Sequence, residues 1–114
     1  MGHLGAPPKT AADFRAAGVV FRSFGGRYTC AGPKGRRDLV DALRDAIAWR
    51  VDAMRPHVRG ARWPLPRIVL VSPTPPPFGA CGCCGEPLPP YRGGDCELCS
   101  MALLRARDAE KAAR

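Results

Sequence analysis

The sequence has no long apolar run, and this limits where the chain can reside. No stretch approaches the roughly 20 consecutive apolar residues that a membrane-spanning helix needs. No apolar segment follows the amino terminus, so we recognise no secretory signal peptide. We therefore expect a soluble, cytoplasmic protein whose cysteines are not joined in disulfides.

The sequence also lacks the combinations of residues that catalysis requires. It contains two histidines, His3 and His57, and neither has an evident nucleophile as a partner. There is no G-x-S-x-G motif and no glycine-rich loop of the kind that binds phosphates. We therefore predict that the protein is not an enzyme, and we assign no catalytic residue.

Prolines and glycines, in contrast, are numerous, and they argue against a large hydrophobic core. The chain has 13 of each in 114 residues, which suffices for one modest domain or two very small ones. Small domains commonly supplement a weak core with a bound metal. We expect this to hold for the C-terminal part of the chain.

Lysine is scarce, yet the chain is basic. Three of its 18 basic residues are lysines, and the formal net charge is +8. Four thiolates around one Zn²⁺ would contribute −2, which leaves +6. Basic charge favours contact with nucleic acid, an acidic protein or an anionic surface, without choosing among them.

Four cysteines near the C-terminal end form the clearest pattern in the sequence. Residues 81–99 read CGCCGEPLPPYRGGDCELC, with two C-x-x-C pairs separated by 11 residues. Two such pairs can bring four thiolates to one point, as a tetrahedral zinc ion requires. We predict a structural Zn²⁺ with four ligands and no open position for catalysis. The predicted ligands are Cys81, Cys84, Cys96 and Cys99.

Two other interpretations of these cysteines stay open. Disulfides would need an oxidising compartment, and an iron–sulfur cluster usually has differently spaced ligands. We expect Cys83 to be a bystander, because a single residue separates it from Cys81 and such a chelate would be crowded. Cys30 lies in an apolar strand pattern and is predicted to be a small buried hydrophobe.

The arrangement of these cysteines resembles a treble-clef or zinc-ribbon finger. Gly85 follows the first pair, where a knuckle turns back and needs a residue without a Cβ. A polar loop, the second pair and a helix-like stretch at 100–114 complete the resemblance. The resemblance implies a zinc finger with a C-terminal helix over residues 81–114.

The first part of the chain predicts a short helix and a β-hairpin. Thr10 is suited to cap the helix, with Asp13 as its reciprocal partner, and Gly18 is suited to end it. Residues 19–24 and 27–31 are rich in β-branched and aromatic side chains. Two glycines join these runs, which indicates a hairpin with a tight turn.

Residues 38–55 have the periodicity of a long helix with one apolar face. We predict that Asp38 caps this helix and that Pro56 ends it. The apolar face consists of Val40, Leu43, Ile47, Val51 and Met54. The core is predicted to contain Val20 or Phe21, Tyr28, Leu43, Ile47 and Val51.

A second resemblance covers this helix, hairpin and helix. The sequences FRAAGVVFRSFGGRYTCAGPKG and LVDALRD resemble the TubC N-terminal docking domain, a protein–protein docking module of nonribosomal peptide synthetases. The matching positions are Gly18, Gly26, Ala31, Pro33, Lys34 and Gly35. The linker before the long helix is shorter and more basic than is usual in that family. The resemblance implies a hairpin that captures a peptide.

We therefore predict an α+β chain in three parts. Residues 10–55 form a docking-domain-like helix–hairpin–helix unit, and residues 81–114 form the zinc finger. Residues 56–80 form a proline-rich, semi-rigid spacer. Its apolar run at 68–71 is predicted to add an edge strand to the hairpin or to pack against the finger.

Two functions are consistent with these features. The first is a non-enzymatic accessory protein that binds zinc and nucleic acid, in the replication or transcription of a mobile element. Its predicted phosphate contacts are Arg36, Arg37, Arg105 and Arg107. The alternative is a docking adaptor whose hairpin captures a short acidic peptide by adding a strand, with Arg22 or Arg27 meeting its charge.

Overall fold

Three helices and one β-hairpin make up the regular secondary structure of the residues that the structure describes. The computed structural model describes residues 8–25, 27–59, 69–70, 74, 78–90 and 94–113. The elements follow the order α1 (Ala11–Ala16), β1 (Val20–Phe24), β2 (Arg27–Ala31), α2 (Arg37–Val58) and α3 (Glu97–Ala112). This is an α+β fold, as the sequence predicts.

Helix α1 begins at the predicted residue because its first turn is capped from both directions. The Thr10 hydroxyl accepts a hydrogen bond from the Asp13 amide at 3.1 Å. The Asp13 carboxylate accepts one from the Thr10 amide at 3.2 Å. Gly18, two residues past the helix end, has a φ of +101°, a value that favours glycine. The capping prediction is confirmed.

Strands β1 and β2 form the predicted antiparallel hairpin. Phe21 pairs with Cys30, and Ser23 pairs with Tyr28. Phe21, Tyr28 and Cys30 pack against the core, whereas Val20 is 49% exposed and Phe24 is 91% exposed. Phe21, not Val20, is therefore the strand residue that contributes to the core.

Helix α2 differs from the prediction at both ends. It begins at Arg37 with Arg36 as N-cap, and the Asp38 carboxylate accepts hydrogen bonds from the Arg36 guanidinium at 3.0 and 2.9 Å instead of capping the helix. It also continues through Pro56 to Val58. A proline removes one backbone hydrogen bond. Burial of Val58 against the core favours the last turn despite that loss.

The core lies where α2 packs against α3. Phe14, Met54 and Leu98 are all fully buried, so α1, α2 and α3 contribute to the same apolar cluster. The predicted face of α2 is partly wrong, because Val40 is 51% exposed and Leu39 is buried in its place. Ile47 and Met54 are buried as predicted, and Tyr28, Leu43 and Val51 are partly buried.

Most of the predicted spacer lies outside the residues that the structure describes. Within it, the Leu70 amide donates to the Cys83 carbonyl at 2.6 Å, and the Leu70 side chain packs against the core. Leu70 therefore contacts the cysteine-rich segment, one of the two predicted positions for this run. The division of the chain at residues 56 and 80 stays a prediction.

Candidate metal centre

Four cysteine side chains meet at the N-terminal end of α3. The Sγ atoms of Cys81, Cys84, Cys96 and Cys99 all lie within 4.8 Å of one another. The Cys84 and Cys96 Sγ atoms are 3.8 Å apart. Cys81, Cys96 and Cys99 are buried, and Cys84 is partly buried. The fold therefore brings together the four residues that the spacing indicates.

The first cysteine pair is positioned by a tight backbone turn. The Cys81 amide donates to the Glu86 carbonyl at 2.7 Å, and the Gly85 amide donates to the Cys81 carbonyl at 3.0 Å. Gly85 has a φ of +84°, as its place in the turn predicts. The amides of Cys83 and Cys84 both point at the Cys81 Sγ at 3.4 Å. Such contacts stabilise a thiolate because the donors face its negative charge.

The second pair is positioned by the start of α3. Cys96 is the N-cap of this helix, and its Sγ accepts from the Cys99 amide at 3.4 Å. The Cys96 amide in turn donates to the Cys81 Sγ at 3.3 Å. Both pairs thus point their sulfur atoms inward through backbone contacts. The helix N-terminus adds a positive partial charge beside the sulfurs.

Closely spaced thiolates at this cluster would need a bound cation to balance their negative charge. Hydrogen bonds from Cys83 and the other thiols lower the pKa of Cys81 far below its usual range. Hydrogen bonding to Cys81 raises the pKa values of Cys96 and Cys99. Contact with Cys81 raises the pKa of Cys84, but hydrogen bonds from Cys96 and Cys99 lower it to about 7. Thiolates are therefore favoured at Cys81 and Cys84 and opposed at Cys96 and Cys99, where further negative charges would lie close to the first two. A divalent cation at the centre would remove that opposition.

Zinc fits this geometry and this donor set. With Zn–S bonds of about 2.3 Å, the sulfurs of a tetrahedral site lie about 3.8 Å apart. The separation between Cys84 and Cys96 has this value. Four sulfur donors also match the preference of zinc for soft ligands. When bound, the ion would join the two halves of the cysteine segment, and the four ligands would leave it no position for a substrate.

The two other cysteines occupy different environments. Cys83 is buried, and its Sγ lies 3.5 Å from an Asp95 carboxylate oxygen. Hydrogen bonding to Cys81 raises the pKa of Cys83, so it stays a neutral thiol. Cys30 is partly buried on β2, where burial raises its pKa. Neither belongs to the four-cysteine cluster.

Glu86 links the cysteine knuckle to α1 and was not among the predicted site residues. Its carboxylate is buried and accepts hydrogen bonds from the Ala11 and Ala12 amides at 3.0 and 3.3 Å. These amides are among the helix N-terminal donors that have no partner within the helix. In the sequence, the feature that could have indicated a role for Glu86 is its position directly after the knuckle glycine, Gly85. Its partner, helix α1, lies 74 residues earlier, and no sequence pattern connects the two.

Ion pairs add to the contacts between the two ends of the chain. Arg15 of α1 donates to both carboxylate oxygens of Glu97, the first residue of α3, at 2.7 and 2.6 Å. Glu110, near the end of α3, pairs with Arg59 at 3.1 Å and with Arg55 at 3.5 Å. Helix α3 is therefore bound at its start to α1 and near its end to the C-terminal end of α2.

The four arginines predicted to contact phosphates do not all line one groove. Arg105 and Arg107 line a groove of about 380 Å³ between α3 and the hairpin, and Arg27 lines it from β2. Arg36 and Arg37 lie at the start of α2 and are not part of this lining. Arg36 is also paired with Asp38. The phosphate-contact predictions for all four arginines stay predictions.

Comparison with known proteins adds no relative. No protein-family model matches this chain, and neither curated proteins nor solved structures provide a match. The resemblances to a docking domain and to a zinc-ribbon finger therefore stay predictions. In the part of the chain that the structure describes, no helix is both long and apolar enough to cross a membrane.

Proposed function

We propose that this chain is a zinc-binding, non-enzymatic accessory protein that binds nucleic acid through the groove between the hairpin and α3. The metal part of the proposal rests on the convergence of four cysteines. The nucleic-acid part rests on one juxtaposition. Arg27 of the hairpin faces Arg105 and Arg107 of α3 across a single groove. A role in the replication or transcription of a mobile element is the setting we propose.

The charge of this groove favours a phosphate backbone. Three arginines and one aspartate, Asp108, line it, which leaves a net charge of +2. Arg27, Arg105 and Arg107 are all exposed, so their guanidinium groups can reach a ligand without desolvating a buried charge. Arginine presents a planar fork of donors that matches phosphate oxygens. Contacts of this kind supply affinity without sequence preference.

Salt-dependent binding of a labelled DNA duplex tests the nucleic-acid part. If the three arginines neutralise three phosphates, the logarithm of affinity should fall with a slope of about −2.7 against the logarithm of salt concentration. Raising salt from about 50 to about 200 mM should then weaken binding about 40-fold. Arg105→Glu should remove one contact and make the slope shallower by about 0.9.

Arg44→Glu is the matched control, because Arg44 is exposed on α2 and does not line the groove. It changes the net charge by the same amount and should leave the slope unchanged. Equal effects of the two substitutions would show that overall charge, and not the groove, attracts DNA. Absence of binding at low salt to both duplex and single-stranded DNA would reject the nucleic-acid function.

A docking adaptor is the second candidate, and the outer face of the hairpin favours it. Val20 and Phe24 share this face and are 49% and 91% exposed. Arg27 lies opposite Phe24 in the register. An exposed aromatic beside an arginine suits an acidic peptide with an apolar anchor, and each strand of a two-stranded sheet has one edge to which such a peptide can add.

Peptide binding separates this candidate from the first. A short acidic peptide with one aromatic residue should bind the wild type and lose affinity with Phe24→Ser and Arg27→Glu. Arg44→Glu serves as the control, since Arg44 is exposed on α2 and does not line the groove beside Arg27. Binding that Phe24→Ser leaves unchanged would exclude the hairpin face as the docking surface.

A further inference from the structure

A pocket of about 460 Å³ lies between α2 and the residues just before α1. It shares no residue with the arginine-lined groove beside the hairpin. Its volume falls within the range of roughly 300–1,000 Å³ that is typical of small-molecule sites. The residues that line it are Pro8, Lys9, Ala42, Asp45, Ala46 and Trp49.

The α2 wall of this pocket combines two small side chains with one large aromatic ring. Its four residues are three or four positions apart, so they lie on one face of the helix. The small side chains of Ala42 and Ala46 leave room above the helix, and the Trp49 ring stands beside that room. Trp49 is 42% exposed. Its indole ring therefore offers a flat apolar surface on which an aromatic ligand can stack.

Arg50 joins the two walls of the pocket from the buried side of α2. Its guanidinium carbon lies 4.4 Å from the centre of the Trp49 ring. The same guanidinium group donates to the Ala46 carbonyl at 2.8 Å and to the Lys9 carbonyl at 3.1 Å. Arg50 is 2% exposed and does not itself line the pocket. The ring and the opposite wall are thus held in place before a ligand binds, which lowers the entropic cost of binding.

Asp45 and Lys9 determine which flat ligand fits best. An ionised carboxylate only accepts hydrogen bonds, and an ammonium group only donates them. Asp45 is one helical turn from Trp49, so its carboxylate can reach the edge of a ring stacked there. Among the nucleobases, guanine presents two adjacent donors, N1–H and N2–H, beside the acceptor O6. A carboxylate can accept both donors at once, in a planar two-bond arrangement.

We propose that this pocket binds a guanine base, which stacks on Trp49, donates N1–H and N2–H to the Asp45 carboxylate and accepts from the Lys9 ammonium group at O6. The inference goes beyond the proposed function, because it does not depend on the arginine groove. A free nucleotide and a single-stranded nucleic acid present the same edge of the base. An aromatic amino acid fits less well, because its two charges would form exposed ion pairs, which contribute little affinity.

Calorimetric titration of the full chain with guanosine monophosphate tests the pocket. Inosine monophosphate is the matched comparison, because it has the same sugar and phosphate and lacks only the N2 amine. It should bind about 10-fold more weakly, which is the usual effect of one hydrogen bond to a charged group. Short thymine oligonucleotides with one central guanine or one central adenine distinguish the two sources. A guanine oligonucleotide that binds more tightly than the mononucleotide identifies a single strand as the ligand, and equal binding identifies the nucleotide.

Two substitutions test the assigned roles. Asp45→Asn should abolish the preference for the guanine nucleotide over the inosine nucleotide, because one amide oxygen cannot accept both donors. Asp41→Asn is the control, since Asp41 is also exposed on α2, does not line the pocket and should keep the preference. Trp49→Leu removes the ring and should weaken binding of the guanine nucleotide at least about 5-fold. Trp49→Phe keeps a smaller ring and should recover part of that loss.

Each outcome decides the proposal. No binding of the guanine nucleotide, equal binding of the two nucleotides, or a preference that survives Asp45→Asn would reject it. Binding that Trp49→Leu leaves unchanged in a folded variant would also reject it, and if that variant does not fold, Asp45→Asn and Asp41→Asn still decide. Binding of tryptophan amide without binding of the guanine nucleotide would identify an aromatic side chain as the occupant instead. Duplex binding through the groove is measured separately with Arg105→Glu, so the failure of one proposal leaves the other standing.

Discussion

The contact between Glu86 and α1 predicts that the cysteine knuckle stabilises the N-terminal helix. Glu86→Ala removes an acceptor that serves two amides, those of Ala11 and Ala12. The first of these hydrogen bonds is buried, so its donor would be left without a partner and away from water. The substitution should therefore destabilise the protein even though it leaves all four cysteines in place.

The size of the effect follows from the two hydrogen bonds. A hydrogen bond to a charged group contributes about 1.5–3 kcal/mol, and the bond to Ala12 is longer and only partly buried. We therefore expect Glu86→Ala to lower the free energy of unfolding by about 3 kcal/mol. For a chain of 114 residues, that loss corresponds to a fall in Tm of about 12 °C. Glu86→Gln keeps one acceptor oxygen and should lose about half as much.

Thermal unfolding of the zinc-loaded protein measures this effect. The zinc content of each variant must be equal, since a Glu86 carboxylate oxygen lies 3.9 Å from the Cys84 Sγ. Asp52→Ala removes an exposed acid from α2 and should change stability by less than about 0.5 kcal/mol. Amide hydrogen exchange at Ala11 should accelerate in Glu86→Ala. An unchanged Tm and unchanged exchange would refute the idea that Glu86 secures α1.

Three further substitutions test the metal and the core. Cys96→Ser keeps a side chain that caps helices well but removes a zinc ligand, so loss of zinc and of folding in this variant would be due to the metal. Elemental analysis and circular dichroism would detect both, and a folded, zinc-free Cys96→Ser protein would contradict a structural site that contributes about 10–16 kcal/mol. Phe14→Ala should cost about 3–5 kcal/mol in urea unfolding, because Phe14 is fully buried. Phe24→Ala, at an exposed position, should change stability by less than about 0.5 kcal/mol, and equal effects of the two would contradict the described core.

Local signals in the sequence were sufficient for the α1 cap and for the cysteine pairs, whose determining partners are close along the chain. The capping box of α1 depends on Thr10 and Asp13, which are three residues apart. The two C-x-x-C pairs likewise place two ligands each on a short turn, where neighbouring amides orient the sulfur atoms. Such patterns repeat between proteins because backbone geometry alone produces them.

The end of α2 and the composition of its buried face were decided by packing. Pro56 is a strong local signal for a helix end, but the buried Val58 beyond it packs into the core. Val40 has the right spacing for the core and is nevertheless exposed. Local propensity is a weak determinant when a competing arrangement buries more apolar surface.

The sequence by itself determined the two cysteine pairs, the hairpin and the helical segments, because each depends on residues within a few positions of one another. The tertiary structure decided which distant charges meet. It placed Arg15 beside Glu97, Glu86 against α1, and Arg27 across a groove from Arg105. The physical reason is that a buried charge is stable only next to its partner, and docking of α3 on α2 and the hairpin sets that distance.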